Sequence, residues 1–325
     1  MTKLIIQIPC YNEEETIGVA LDALPREIPG VDAVEWLIID DGSTDRTVEV
    51  ARAHGVDHVV SNHINRGLAR AFTAGLDFCL KHGADIIVNT DADNQYNADD
   101  IPKLIKPILD GNAEVVIGTR PISEIRHFSP LKKFFQKAGS WTVKTISQTP
   151  VDDAPSGFRA LSREAAMRMH VFSEYTYTLE TIIQAGKRGM AVTSVPIRTN
   201  EDLRESRLIK SIPRYLARSF NTMVRILMTY QPMVFFMLPG SISFSIGVIL
   251  GLRYLYFFFF TAERGGHLQS LILSAILLIL GGFLVIIGLI ADLISVNRKL
   301  LENIDYSLLR LDEKITTSTT EDKTD

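Results

Sequence analysis

Cysteine is scarce: Cys10 and Cys79 are the only two in 325 residues, and they lie far apart. That spacing offers neither a disulfide framework nor a zinc-ligand pattern, and it fits a reducing compartment. Excess positive charge is also missing. Lysine and arginine number 34 against 38 acids, for a net charge of −4 and a pI near 6.0, so nucleic acid is not an expected partner. Neither G-x-G-x-x-G nor G-x-x-x-x-G-K-[ST] occurs, which removes the two usual nucleotide-binding fingerprints. The opening MTKLIIQIPCYNEE does not read as a signal peptide, because its apolar run is short and meets Pro9 and then acids.

Apolar residues, by contrast, are plentiful. The mean hydropathy of +0.13 is high for a soluble enzyme, and the excess sits toward the end of the chain. Met233–Leu252 and Leu268–Ala291 carry no charge, and each is long enough as a helix to cross the ~30 Å hydrocarbon core of a bilayer. Buried core helices are the alternative, but LILSAILLILGGFLVIIGLI has no polar face. The connection at 261–267 is short, so the pair forms a hairpin. Spans are expected at about 233–258 and 268–294 within a membrane segment 232–296. A juxtamembrane amphipathic helix is expected at 206–231 and a tail at 297–325, whose end, ITTSTTEDKTD, reads as disordered. Lys210, Arg214, Arg218 and Arg225 precede the first span, and Arg298 and Lys299 follow the second. By the positive-inside rule both termini and the N-terminal domain, 1–205, face the cytoplasm of a cell membrane in which the protein is integral.

That N-terminal domain alternates strands and helices. KLIIQI, EWLIID, ADIIVNT and AEVVIGT are short apolar runs, separated by helical patterns at Glu14–Leu24, Thr44–His54, Gly67–Lys81 and Ala98–Asp110. The alternation predicts an α/β fold, a mostly parallel sheet with helices on both faces. Ligands bind such sheets at the carboxyl ends of the strands, where PCYNEE, DDGSTD and DADNQ fall. In the last of these Asp91 and Asp93 lie two apart where a strand ends. If the chain turns there, both carboxylates and the Gln95 amide converge, and converging carboxylates call for a cation. Few oxygen ligands suit Mg²⁺ or Mn²⁺, with water and substrate phosphate filling the other positions. A solvated acidic loop capping a helix at Ala98 is the plainer alternative.

PCYNEEETI, DDGSTDRT, NRGLARAFTAG, DADNQ and DAPSGFRAL occur in this order. Together they resemble a family 2 glycosyltransferase of GT-A (Rossmann-like) fold. With the hairpin, the whole chain resembles the polyisoprenyl-phosphate glycosyltransferases, the group of dolichol-phosphate mannose synthase and the bacterial undecaprenyl-phosphate glucosyltransferases. The resemblance implies that Pro9, Tyr11, Asn12 and Glu13 cup the base and ribose of a nucleotide-sugar, with Asp41, Gly67, Asp91 and Ala92 also on the nucleotide side. Gly67 reads equally well as a helix start, with Ala71 and Gly75 allowing close packing on the sheet. The resemblance places the metal and diphosphate on Asp91, Asp93 and Gln95, and gives Asp93 and Asp153 catalytic roles, Asp153 at the position usually assigned as base. It implies inversion by direct attack, with UDP- or GDP-hexose as donor and a polyisoprenyl phosphate as acceptor.

A phosphate acceptor changes what the site needs. Its second pKa is roughly 6, so it is largely a dianion at neutral pH, and it calls for cations more than for a base. Arg120, Arg126, Arg159 and Arg207 are the candidates, Arg120 and Arg159 foremost. The lipid tail calls for a membrane surface. A helix starting at Ser129-Pro130, spanning about 129–146, sets Leu131, Phe134, Phe135, Ala138 and Trp141 against Lys133, Lys137 and Lys144. Hairpins of this kind often self-assemble, which leaves a homo-oligomer open. Two other functions compete: an enzyme extending a glycan hydroxyl, and a non-catalytic membrane scaffold keeping the fold. A processive synthase would carry Q-x-x-R-W, which is absent.

Overall fold

The structure, a computed structural model, describes residues 1–121, 140–171, 177–201, 221, 224–225, 227–260 and 268–321, with side chains to Leu311. Arg126, Arg207, the start of the 129–146 helix and most of 206–231 lie outside the described residues. The chain divides into two units, Met1–Ile209 and Lys210–Asp325.

The first unit runs β1 (Lys3–Cys10), α1 (Ile17–Ala23), β2 (Ala33–Asp40), α2 (Thr47–Ala53), β3 (His58–Ser61), α3 (Leu68–Lys81), β4 (Ile86–Asn89), a 3₁₀ turn (Ala98–Asp100), α4 (Ile101–Leu109) and β5 (Val115–Thr119). It continues with β6 (Arg159–Ser162), α5 (Arg163–Met167), α6 (Thr178–Lys187) and β7 (Val192–Pro196). The seven strands form one sheet in the order β3-β2-β1-β4-β6-β5-β7. All pairs are parallel except those of β6, which runs antiparallel between β4 and β5. The mostly parallel α/β sheet expected from the apolar runs is therefore present. β1 is buried from Leu4 onward and β4 is buried throughout, as strands covered on both faces require.

Because β6 alone is reversed, its start lies at the same sheet edge as the carboxyl ends of β1, β2, β4 and β5. Topology thus brings PSGFR beside DADNQ. β3, β6 and β7 have no counterpart among the apolar runs named above. Three helices also begin later than their patterns suggested. The chain spends Glu14–Thr16 and Thr44–Arg46 in loops, and Asp45 accepts from Thr47 N at 3.0 Å to open α2. The third opens as the 3₁₀ turn, where Asn97 accepts from Asp99 N at 3.0 Å.

The second unit is an antiparallel pair, α7 (Pro232–Phe260) and α8 (Leu268–Glu321). Both are long and apolar enough to cross a membrane, and only 11% and 17% of their most apolar windows are buried, which argues against core helices. Small residues line the seam. A β-carbon on Gly281 would lie 2.6 Å from Phe244 N, and one on Gly247 would lie 2.9 Å from Leu278. Ser274 Oγ donates to the Gly247 carbonyl at 2.7 Å and Ser243 Oγ to the Leu277 carbonyl at 3.0 Å, the contacts that hold helices together where water is absent. α8 does not stop near residue 294. It continues to Glu321, into the first part of the stretch read as a disordered tail, with Arg298 over the Tyr230 ring at 4.5 Å.

Candidate active site

The loops after β1 and β2 are knitted together. Asn12, at φ 54, donates its backbone N to Ser43 Oγ at 2.9 Å and accepts from Thr44 N at 2.8 Å. Glu13 N donates to Thr47 Oγ1 at 2.8 Å, and Glu13 Oε2 accepts from Thr16 at 2.9 Å. Tyr11 is exposed, while Pro9 closes the buried end of β1. Asp41, expected to meet base or ribose, is buried and holds a third loop: it accepts from Asn62 Nδ2 at 2.9 Å, Arg66 N at 2.9 Å and Gly67 N at 2.7 Å. Gly67 sits at φ 91 at the start of α3, a conformation that side chains disfavour. The packing role considered for Gly75 is also present, since a β-carbon there would lie 2.3 Å from Gln7 Oε1.

The acids of DADNQYNADD divide into two sets. Asp100 is structural: Arg198 donates to it from N at 2.6 Å and from Nη2 at 3.0 Å. Asp91 and Asp93 follow the carboxyl end of β4, with Ala92 buried between them and Asp93 Oδ1 accepting from Gln95 N at 3.1 Å. Burial and the neighbouring Asp93 carboxylate push the Asp91 carboxyl up to about 7, against the pull of Arg120 and Arg159. Neighbouring carboxylates of this kind fit a divalent cation. Among the described residues no group of three or more acidic, histidine or cysteine side chains is placed to hold a metal ion. Gly157 allows the close approach of β6: a β-carbon there would lie 3.0 and 3.1 Å from the Asp91 oxygens.

Arg120 and Asp153 form one unit. Arg120 Nε donates to Oδ2 at 2.7 Å, Nη2 to Oδ1 at 3.0 Å and the backbone N to Oδ2 at 3.2 Å. The Arg120 side chain is 10% exposed and that of Asp153 is 0% exposed. Burial disfavours the guanidinium charge, but Tyr96 and Asp153 outweigh it and hold the group above its usual pKa. The arginine is thus fixed, charged and slightly exposed, while the carboxylate is buried against it.

Arg159 is placed differently from the expectation of a phosphate-binding arginine. It is fully buried, donating to Thr178 O at 3.2 Å, to Thr181 Oγ1 at 2.6 Å and to the Ser156 carbonyl, 5.2 Å from the Tyr177 ring. Its guanidinium is taken up by α6 and has no surface to offer a lipid phosphate. The motif also conceals a buried polar network. Asn89 Nδ2 donates to Tyr177 OH at 2.8 Å and to the Gly157 carbonyl at 2.9 Å, Gln7 donates to Asn89 at 3.0 Å, and Gly157 N donates to Tyr96 OH at 2.9 Å. Phe72 stacks on Tyr177 at 3.8 Å. Sequence reasoning missed these residues.

Comparison with known proteins gives a consistent family. The model for glycosyl transferase family 2 matches residues 5–169. The chain is 32% identical over 217 residues to the UDP-N-acetylglucosamine–dolichyl-phosphate N-acetylglucosaminyltransferase of Methanococcus voltae, covering 59% of this chain and 83% of that one. It is 26% identical over 217 residues to the undecaprenyl-phosphate mannosyltransferase of Micrococcus luteus, covering 63% and 87%. Among solved structures, glucosyl-3-phosphoglycerate synthase from Mycobacterium tuberculosis, in complex with Mn²⁺, UDP and glucosyl-3-phosphoglycerate, aligns at a TM-score of 0.54 and 24% identity. That alignment covers 70% of this chain and 79% of that one, and it supports the GT-A fold.

Proposed function

The chain belongs to glycosyl transferase family 2, and from that premise we propose that it transfers a hexose from a UDP- or GDP-linked donor to a polyisoprenyl phosphate, with inversion. The observation that carries the acceptor assignment is the Arg120–Asp153 unit, a fixed cation at the carboxyl end of β5 whose partner carboxylate is buried beneath it. A phosphate dianion is bound by a preset forked donor. A hydroxyl acceptor would instead need an accessible carboxylate to take its proton, and Asp153 is buried with both oxygens on Arg120.

The loops at 11–14 and 41–45, with Gly67 behind them, would hold the nucleotide. Asp91, Asp93 and Gln95 would hold Mg²⁺ or Mn²⁺, which when bound offsets the charge gathering on the leaving diphosphate. Arg120 orients the acceptor oxygen toward the anomeric carbon, and Arg126 and Arg207 remain proposed helpers. The membrane reading places α7 and α8 in the bilayer and the first unit in the cytoplasm, where nucleotide-sugars are made available. Its support is the apolar hairpin, its basic flanks, and relatives named for polyprenyl-phosphate acceptors. The test is to incubate purified enzyme and Mn²⁺ with each of a panel of nucleotide-sugars and undecaprenyl or dolichyl phosphate. A lipid product heavier by one sugar supports the reading; sugar transfer only to a glycan hydroxyl refutes it.

A further inference from the structure

The segment leaving β7 runs from the end of β5 to the loop after β4. Ile197 N donates to the Thr119 carbonyl at 3.0 Å, one residue before Arg120. Arg198 then forks onto Asp100, and its carbonyl accepts from Asn97 N at 3.3 Å. Thr199 makes an antiparallel bridge with Tyr96. Asn200 completes the run: its backbone N donates to the Gln95 carbonyl at 2.9 Å. Its Nδ2 donates to the Asn94 carbonyl at 2.9 Å and lies 3.3 Å from Asn94 Oδ1 and 3.4 Å from the Tyr96 carbonyl. Three successive carbonyls of the DADNQY loop therefore end on one residue. Between Asp93 and Gln95 that loop passes through Asn94 at φ 55, a left-handed turn that asparagine tolerates better than most residues with a β-carbon but at some cost in energy.

We infer that residues 197–200 form a strap and that Asn200 is a positioning residue for the cation-binding loop. The inference rests on the assignment of Asp91, Asp93 and Gln95 to the cation. The physical argument concerns the loop before the cation arrives. Asp91 and Asp93 repel, and the left-handed turn at Asn94 is locally unfavourable. Without Asn200 the loop relaxes toward conformations that separate the carboxylates, and a cation must then restore the order from its own binding free energy. Cation binding weakens, whereas turnover of the assembled complex is largely kept. The strap also begins at the Thr119 carbonyl, so it holds Arg120 and the carboxylates in one frame.

The experiment uses the full chain in detergent with Mn²⁺ and UDP or GDP, following free Mn²⁺ by its paramagnetic resonance signal. Asn200→Ala is expected to raise the Mn²⁺ dissociation constant roughly tenfold, the loss of one or two hydrogen bonds. At saturating Mn²⁺ and donor its kcat should stay within a few-fold of wild type. Asn200→Asp, of the same shape but with a carboxylate aimed at carbonyls, should bind Mn²⁺ at least as poorly as the alanine variant. If Asn200→Ala does not fold, Asn200→Ser keeps one donor, and an intermediate affinity is expected. Wild-type Mn²⁺ affinity in the variants, with only a lowered Tm, overturns the strap alone. A wild type that binds no Mn²⁺ overturns both the strap and the cation assignment beneath it.

Discussion

At the scale of single residues, charge is placed against its own interest and then compensated. Asp91 is the clearest case. Burial and the neighbouring Asp93 push its carboxyl from 3.8 up to about 7. A carboxyl raised on folding favours the folded state below its unfolded pKa, and that contribution is lost as pH climbs from about 4 through 7. A divalent cation binds the ionised form, so its stabilisation grows across the same window. The rise in Tm on adding MnCl₂ should therefore be larger at pH 8 than at pH 5.5, as thermal unfolding would show; an equal rise at both would contradict the assignment. Arg120 and Asp153 make the second case. Asp153→Asn should cost about 3–5 kcal/mol, because it strands a buried guanidinium, and it should raise the lipid KM. Arg120→Ala should weaken lipid use by about 1.5–3 kcal/mol while donor KM moves little. Steady-state rates over a range of lipid concentrations separate these effects. Arg159 shows where reading residues stops: an arginine beside a polar motif reads as a ligand, and only its acceptors on α6, some 20 positions later, bury it. Gln7 and Asn89 did leave a trace, since each interrupts an apolar strand and they face each other across β1 and β4.

At the scale of elements, the strands legible beforehand were those carried by continuous apolar runs. β6, four residues with an arginine at its head, has too little pattern to announce itself, yet it carries the reversed pairing that completes the site. The hairpin was legible as two apolar stretches, but its seam depends on which glycine faces the partner. Gly281 and Gly282 are adjacent and opposite in environment. A β-carbon on the first would lie 2.6 Å from backbone of α7, whereas one on the second meets nothing within 4 Å. Gly281→Leu should lower the Tm of the detergent-solubilised protein by several degrees and loosen the hairpin, and Gly282→Leu should leave both nearly unchanged. Thermal unfolding together with limited proteolysis would check the pair, and equal effects would mean that the seam is drawn wrongly. The last turns of α8 to Glu321 were not legible, because the run ITTSTT is rich in β-branched residues of low helix propensity.

At the scale of the whole molecule, a catalytic unit and an apolar hairpin share one chain. If α7 and α8 span the bilayer, the protein should stay with membranes through an alkaline carbonate wash and be released by detergent, as fractionation and immunoblotting would show. Release by carbonate would mean surface attachment only. The strap has a further consequence, in the order in which a growing chain acquires its parts. Strands β3, β2, β1 and β4 lie side by side and are complete by residue 89. The groups that shape the DADNQ loop come far later: Gly157 and Tyr177 meet Asn89 across 68 and 88 residues, and Asn200 meets Asn94 across 106. Contacts of such separation close late in folding. Half of the sheet can thus assemble before the contacts that tie down the loop exist, and the loop after β4 is held in place only once residues 197–200 have been made.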